Sequence, residues 1–222
     1  MEGADVGHDV APSPAQAGSD LAVAFGRAAA GGSPQSGAIM IHVHTLPDAL
    51  TPAECDRLLA LVRAAPAREA ALVGQTRDPG QRRAELVWTD EVPEAHWVMD
   101  RLIALVRSAN RDAYGFDLTD FSESPQVARY GAERQGHFAW HADIGDGPLA
   151  RRRKLTLVVQ LSEPADYEGG RLEVWPSGHP LTAETARGAA TLFPSYLLHR
   201  VTPVTAGERF SLTTWAHGPR FR

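Results

Sequence analysis

A mainly-β domain of sandwich or barrel type, with a few supporting helices, is the fold class that this 222-residue chain predicts. Three observations carry the prediction. From Pro125 onward, apolar and polar residues alternate with period 2 in short runs bounded by Gly, Pro, Asp and Ser, as half-buried strands do. Between residues 51 and 115 the apolar period is instead that of helices. One cysteine, Cys55, permits neither an intramolecular disulfide nor a multi-thiolate metal site, so apolar burial must hold the core.

The elements follow in order. Residues 1–38 are dominated by Ala, Gly, Ser and Pro, carry four acids against Arg27, and lack the apolar side chains needed to offset ordering entropy. They are expected to form a disordered tail. Glu2 and Asp5 stand where a signal peptide would be basic, so the tail does not read as one. Organised sequence begins near Met40, which is the alternative start, and the domain is expected over 39–222, with helical support and early strands over 39–124 and a β core over 125–217. A first strand is expected over 39–45. Thr51-Pro52-Ala53-Glu54 is a capping box with proline at the first helical position, followed by Leu58, Leu59, Leu61 and Val62 on one face. A second helix starts near Pro93, carries Trp97, Val98, Leu102, Leu105 and Val106 at i, i+4 type spacing, and stops before Gly115. Strands are expected over 85–89, 125–131, 136–142, 154–162, 171–175, 188–193, 199–204 and 208–217.

Charge excludes several functions. The chain has 22 basic and 27 acidic residues, a formal net charge of -5, with Lys154 its only lysine. That balance offers no footprint for a nucleic-acid backbone or an anionic membrane. Apolar runs such as Leu21–Phe25 fall far short of the ~20 residues of a membrane span. The reading is a soluble protein, and the cysteine usage fits a reducing, cytoplasmic compartment.

The chemistry is carried by a few residues. His141-Ala142-Asp143 falls at the end of the strand expected from His137, and residues two apart on a strand project to one side. An imidazole and a carboxylate would then point at one spot. His199 opens a later strand, after the apolar run 190–192 and the turn at Pro194-Ser195. Two histidines and a carboxylate occupy one face of an octahedron and leave three positions open, as in non-haem Fe(II) oxygenases. Beyond His199 come Arg209 and, on the same strand face, Ser211; a buried guanidinium beside a hydroxyl suits recognition of a carboxylate. Together these features imply an iron and an acidic co-substrate.

These residues, with RFSLTTW from Arg209 to Trp215, Tyr130, LSEPADYEGG from Leu161 to Gly170 and FPSYLLHRVTPVTAGER from Phe193 to Arg209, resemble the Fe(II)/2-oxoglutarate-dependent dioxygenases. Within them the chain is similar to the prolyl 4-hydroxylase-like group and its bacterial relatives. The resemblance covers roughly residues 125–217. It implies a double-stranded β-helix, the cupin-like jelly roll, in agreement with the period-2 pattern. It implies that His141, Asp143 and His199 hold Fe(II), chelated by the 1-carboxylate and keto oxygen of 2-oxoglutarate, and that Arg209 pairs with the 5-carboxylate, assisted by Ser211 and Tyr130. Arginine at this position, where collagen-type members use lysine, places the chain nearer the oxygen-sensor-type and bacterial enzymes. Thr156, Val158 and Gln160 share one strand face; the sequence leaves open whether that face, with Thr156 and Gln160, meets the co-substrate. Trp215 and Arg153 are expected to line the substrate pocket. The implied activity consumes O2 and 2-oxoglutarate, hydroxylates an unactivated C–H bond and releases succinate and CO2, with ascorbate allowed as an accessory.

Plainer readings compete at several positions. His42 and His44 also sit two apart, but nothing is placed to complete a metal site, and ordinary strand positions are expected. His137 is expected as a hydrogen-bonded core or rim residue. Arg151–Lys154 is either a solvated loop or, near the substrate entrance, a device that steers an acidic substrate. The substrate is expected to be a prolyl or other amino-acid side chain in a peptide or protein; the alternatives are a free amino acid or small metabolite, and a non-catalytic jelly-roll metal sensor. Oligomeric state is not encoded in any visible pattern.

Overall fold

The computed structural model describes residues 43–70 and 78–221. The expected 1–38 tail, Met40, His42 and residues 71–77 lie outside them. The elements are β1 (His44–Leu46), α1 (Pro52–Ala64), β2 (Arg68–Glu69), β3 (Arg82–Arg83), β4 (Glu85–Trp88), α2 (Trp97–Ala109), β5 (Gln126–Gly131), β6 (His137–His141), β7 (Arg153–Gln160), β8 (Tyr167–Gly169), β9 (Leu172–Ser177), β10 (His179–Thr182), β11 (Ala190–Pro194), β12 (Leu198–Val201) and β13 (Val204–His217).

All strand pairings are antiparallel. The major sheet runs β1-β11-β7-β13-β5-β4-β2, with β8 added along the first part of β13. The minor sheet runs β10-β9-β12-β6-β3. Strand β7 lies inside the major sheet between β11 and β13, and the layers packed on its two faces bury its sequence KLTLVVQ on both sides, so that it does not alternate cleanly.

Leu155, Leu157 and Val159 of β7, with Leu192 of β11 and Leu212 of β13, form one apolar cluster with Cys55, Leu58 and Val62 of α1 and Val98, Leu102 and Val106 of α2. Both helices thus cover the outer face of the major sheet. Each fully buried leucine or valine there stabilises by about 1.5–3 kcal/mol. A second cluster, with Tyr130, Val158, Val174, Phe193 and Val201, fills the space between the two sheets.

Helix α1 begins at the expected capping box: Glu54 N–H donates to Thr51 Oγ1 at 3.2 Å and Thr51 N–H donates to Glu54 Oε2 at 2.7 Å. The second helix differs in detail. Pro93–Ala95 is a 3-10 turn, α2 follows, and a π-helical turn over Asn110–Tyr114 ends at Gly115 with φ 66°. The expected strands 199–204 and 208–217 regroup as β12 and the long β13, because the chain breaks at Thr202-Pro203 and β13 then pairs with β8 through a register shift at Val204–Ala206 and continues past Gly207 along β5. The short strands β2, β3, β8 and β10 carry no period of their own and were not legible. Among the described residues, no helix is long and apolar enough to cross a membrane.

Candidate metal and co-substrate site

The space between the sheets gathers the residues singled out above. His141 ends β6, His199 lies in β12 directly opposite it in the antiparallel register, and Asp143 follows two residues beyond His141. Their ligand atoms all lie within 4.8 Å of one another. Asp143 Oδ1 is 3.6 Å from His141 Nε2 and Oδ2 is 3.5 Å from His199 Nε2. One expectation is corrected here: Asp143 is not on the strand. Strand β6 stops at His141, and Asp143 is aimed instead by its backbone N–H, which donates to Ser195 O at 2.9 Å.

The donor chemistry fits a divalent metal. His141 Nδ1 lies 2.8 Å from Ala139 O and His199 Nδ1 lies 3.0 Å from Leu197 O. A carbonyl only accepts, so each Nδ1 carries a proton and each Nε2 faces the shared space, where a neutral ring offers its lone pair to a metal. Burial, then the neighbouring His199, pushes His141 down to about 3, so its ring is neutral at physiological pH. Burial alone would raise the Asp143 carboxyl, but the charges of His199, Arg153 and His141 and the Trp215 hydrogen bond outweigh it and hold the group below the ordinary carboxylate range. Two imidazoles and one carboxylate with Nε2 and Oδ atoms convergent are the ligand set that suits Fe(II).

Asp143 is itself held from behind. Thr156 Oγ1 donates to Oδ2 at 2.7 Å and Trp215 Nε1 donates to the same oxygen at 2.9 Å. Arg153 Nη1 donates to the Asp143 carbonyl at 3.0 Å and its guanidinium lies 4.0 Å over the Trp215 ring. Glu123 binds the other side of Arg153 and also accepts from His217 Nε2 at 2.9 Å. Sequence reasoning missed Glu123 and His217, which no motif marks, and gave Ser195 of the Phe193–Arg209 segment no role of its own. The sequence left Arg151–Lys154 as either a solvated loop or a device that steers an acidic substrate. The structure divides it: Arg152 pairs with Asp120 at 2.5 Å, Arg153 is enclosed by Glu123 and Trp215, and Lys154 lies over Phe221.

Thr156, Val158 and Gln160 turn out to share the inner face of β7, opposite to Leu155, Leu157 and Val159. Arg209 lies further along β13 on the same inner face as Ser211 and Trp215. It is 2% exposed. Its Nε donates to Gln160 Oε1 at 3.1 Å, Nη1 contacts Ser211 Oγ at 3.4 Å, and the guanidinium sits 5.6 Å from the Tyr130 ring centre. Gln160 Nε2 in turn donates to Tyr167 Oη at 2.6 Å, so Tyr167 is a further member that only its place in LSEPADYEGG could have suggested. The stem of Arg209 passes over Gly170, whose φ is 56°; a Cβ there would stand 3.0 Å from Arg209 Cδ and 2.9 Å from Val204 Cγ2. A small cavity beside the guanidinium is lined by Val158, Gln160, Tyr167, Leu172 and Thr191. No carboxylate pairs with this buried cation among the described residues, and burial pushes its pKa down. An enclosed, unpaired guanidinium is costly and calls for an anion.

His137 takes no part. Its ring nitrogens lie 2.8 Å from Gln135 O and 3.1 Å from Gly80 O, tying the 78–81 turn to β6. His44 pairs in β1 with Leu192 at the sheet edge.

Comparison with known proteins agrees with this geometry. The sequence model of the 2OG-Fe(II) oxygenase superfamily matches residues 125–217. The chain is 31% identical over 175 residues to a PKHD-type hydroxylase of Nitrosomonas europaea, covering 75% of this chain and 74% of that one. It is 35% identical over 111 residues to a PKHD-type hydroxylase of Sphingopyxis alaskensis, where the match spans 48% of this chain and about half, 49%, of the relative. Among solved structures it resembles a Pseudomonas putida prolyl-4-hydroxylase with a TM-score of 0.63 at 22% identity, over 81% of this chain and 94% of that one. A Trichoplax adhaerens prolyl hydroxylase in complex with a hypoxia inducible factor peptide fragment gives a TM-score of 0.65 at 18% identity, over 79% and 83%. At these identities the structural likeness establishes the double-stranded β-helix fold.

Proposed function

From the premise that the chain belongs to the 2OG-Fe(II) oxygenase superfamily, whose members use Fe(II), 2-oxoglutarate and O2, we propose that it hydroxylates an unactivated C–H bond of a prolyl or other amino-acid side chain in a peptide or protein, with release of succinate and CO2. The observation that carries this reading is the pairing, on one inner surface, of a convergent His141, Asp143 and His199 set with the buried Arg209, which lacks a carboxylate partner among the described residues. The PKHD-type and prolyl hydroxylase names of its relatives support the substrate class.

In this account His141 Nε2, His199 Nε2 and the Asp143 carboxylate bind the metal. When bound, Fe(II) supplies the redox chemistry that couples decarboxylation of 2-oxoglutarate to insertion of one oxygen atom into the C–H bond. The protein supplies position and dryness. Thr156 and Trp215 fix Asp143 Oδ2, so the carboxylate does not rotate when the metal arrives. Arg209 neutralises the distal carboxylate of the co-substrate, while Gln160 and Ser211 orient the guanidinium. Tyr130 and Tyr167 wall this end off from water. No side-chain general base is needed. The buried Cys55 fits a cytoplasmic setting.

Incubation with Fe(II), 2-oxoglutarate and a panel of proline-containing peptides and free amino acids should give succinate together with a product heavier by one oxygen atom. Succinate without any oxygenated product across the panel would overturn the peptide and amino-acid assignment.

A further inference from the structure

The arginines around the site are nearly all occupied. Arg153 is held by Glu123, Arg152 by Asp120 and Arg200 by Glu173 at 2.7 Å. Arg83 donates to the carbonyls of Pro79 and Arg134. Arg209 belongs to the co-substrate end. Arg82 is different: its Nε is buried and meets no acceptor among the described residues.

Its direction is set by register. Arg82 stands opposite Phe138 where β3 pairs with β6, and residues opposite each other in an antiparallel pair point to the same side. Phe138 packs into the inter-sheet cluster, and its ring stacks on His141 with centroids 3.5 Å apart. The Arg82 guanidinium lies 4.5 Å over that same Phe138 ring. It therefore sits on the inner face, at the edge strand of the minor sheet, one ring removed from a proposed metal ligand. The Phe138 stack orients the fork but satisfies none of its five N–H donors. A half-buried cation seated over a ring, with an orphan donor and no carboxylate partner among the described residues, is preorganised for a planar anionic group.

We propose that Arg82 is a specificity-determining residue that binds a carboxylate of the primary substrate, so that the preferred substrates carry an acidic group close to the C–H bond to be oxidised. This rests on the hydroxylase reading above. The carboxylate can be an acidic side chain next to the target residue in a peptide, or the α-carboxylate of a free amino acid. Arg82 takes over the role that the sequence suggested for Arg151–Lys154, whose guanidinium groups at 152 and 153 are already paired.

The test uses the Fe(II)-loaded full chain with matched probes: proline-containing peptides that differ by Glu against Gln beside the proline, and free proline against prolinamide. Each pair is competed in one reaction and read by mass for the added oxygen. The wild type should favour the acidic member of one pair by roughly ten- to hundredfold, as expected of charge-assisted hydrogen bonds, and Arg82→Gln should bring that ratio to near one. The pair that responds identifies the source of the carboxylate. Arg82→Lys should keep part of the preference, having the charge without the fork or the stack. Mn(II) binding and the thermal midpoint of Arg82→Gln report that the variant is folded. No acid preference in either pair, a preference that survives in Arg82→Gln, or a rise in the Michaelis constant for 2-oxoglutarate in its place each overturns the proposal. If the wild type releases no succinate under any condition, the hydroxylase reading falls, and this inference with it; succinate release without acid preference removes only the role of Arg82.

Discussion

Strand β7 is buried on both faces, and the two faces carry opposite chemistry. Toward the helices, Leu155, Leu157 and Val159 meet α1 and α2 in a dry apolar layer. Toward the minor sheet, Thr156 and Gln160 are equally buried, yet each is spent on a polar contact, Thr156 to Asp143 and Gln160 to Arg209. The outer layer stabilises the fold without reference to any ligand. The inner layer desolvates a guanidinium and a carboxylate that the protein satisfies only in part, and its free energy is realised when a metal and an anion bind. Substitutions on the two faces should accordingly separate into losses of stability and losses of binding.

The largest expected effect is on the inner face. Asp143→Ala or His141→Ala should reduce succinate release to the protein-free background while leaving a cooperative thermal transition; measurable turnover by either metal-replete variant would break the ligand assignment. On the outer face, Leu157→Ala should lower unfolding free energy by about 2–5 kcal/mol in urea titrations, with the 2-oxoglutarate affinity of the folded fraction unchanged. Arg209→Ala should raise the 2-oxoglutarate concentration for half-saturation by about a hundredfold, since it removes one partner of a buried charged contact. Equal half-saturation would mean that the cavity beside Arg209 is not the co-substrate site.

Two further effects sharpen the contrast. Trp215→Phe keeps an aromatic ring beside Arg153 but deletes the indole N–H donated to Asp143 Oδ2, and should weaken Mn(II) binding by about tenfold in equilibrium titration. The second concerns pH. His141 titrates near 6.5 when unfolded but is pushed down to about 3 in the fold by burial. Its contribution to stability is therefore complete above the unfolded value and is lost as pH falls through the window from 6.5 toward 3. The slope from this one group is about 1.4 kcal/mol per pH unit. Urea midpoints of the metal-free protein should fall over that window, and less steeply in His141→Gln.

The same contrast accounts for what the sequence made legible. The outer layer announces itself by local pattern: the capping box of α1, the apolar face of α2 and the short apolar runs of β5, β7 and β13 between turn residues are signals that tertiary structure merely assembled. His141, Asp143, His199 and Arg209 were visible because their chemistry and spacing are unusual together. Less legible was whatever depends on a contact between distant segments. Glu123 reaches His217 across 94 residues, and Ser195 aims Asp143 from a turn 52 residues away. Period 2 could pair Thr156 with Gln160 but could not say which face was inner, because both faces of a central strand are buried. Asp143 was expected on a strand that ends before it, since nothing in HAD marks where pairing stops. Strands of two or three residues, such as β3, are too short to show a period, although β3 carries Arg82 into the site.

The central claim is that one inter-sheet space binds Fe(II) through His141, Asp143 and His199 and 2-oxoglutarate through Arg209. Anaerobic titration of the Fe(II)-loaded protein with 2-oxoglutarate, followed by the visible charge-transfer absorption of a 2-oxo acid chelated to ferrous iron, tests it directly. The account predicts a saturable band in the wild type, none in Asp143→Ala, and the same band at much higher 2-oxoglutarate concentrations in Arg209→Ala. A wild type without the band, or an Asp143→Ala variant that develops it equally, would contradict the account.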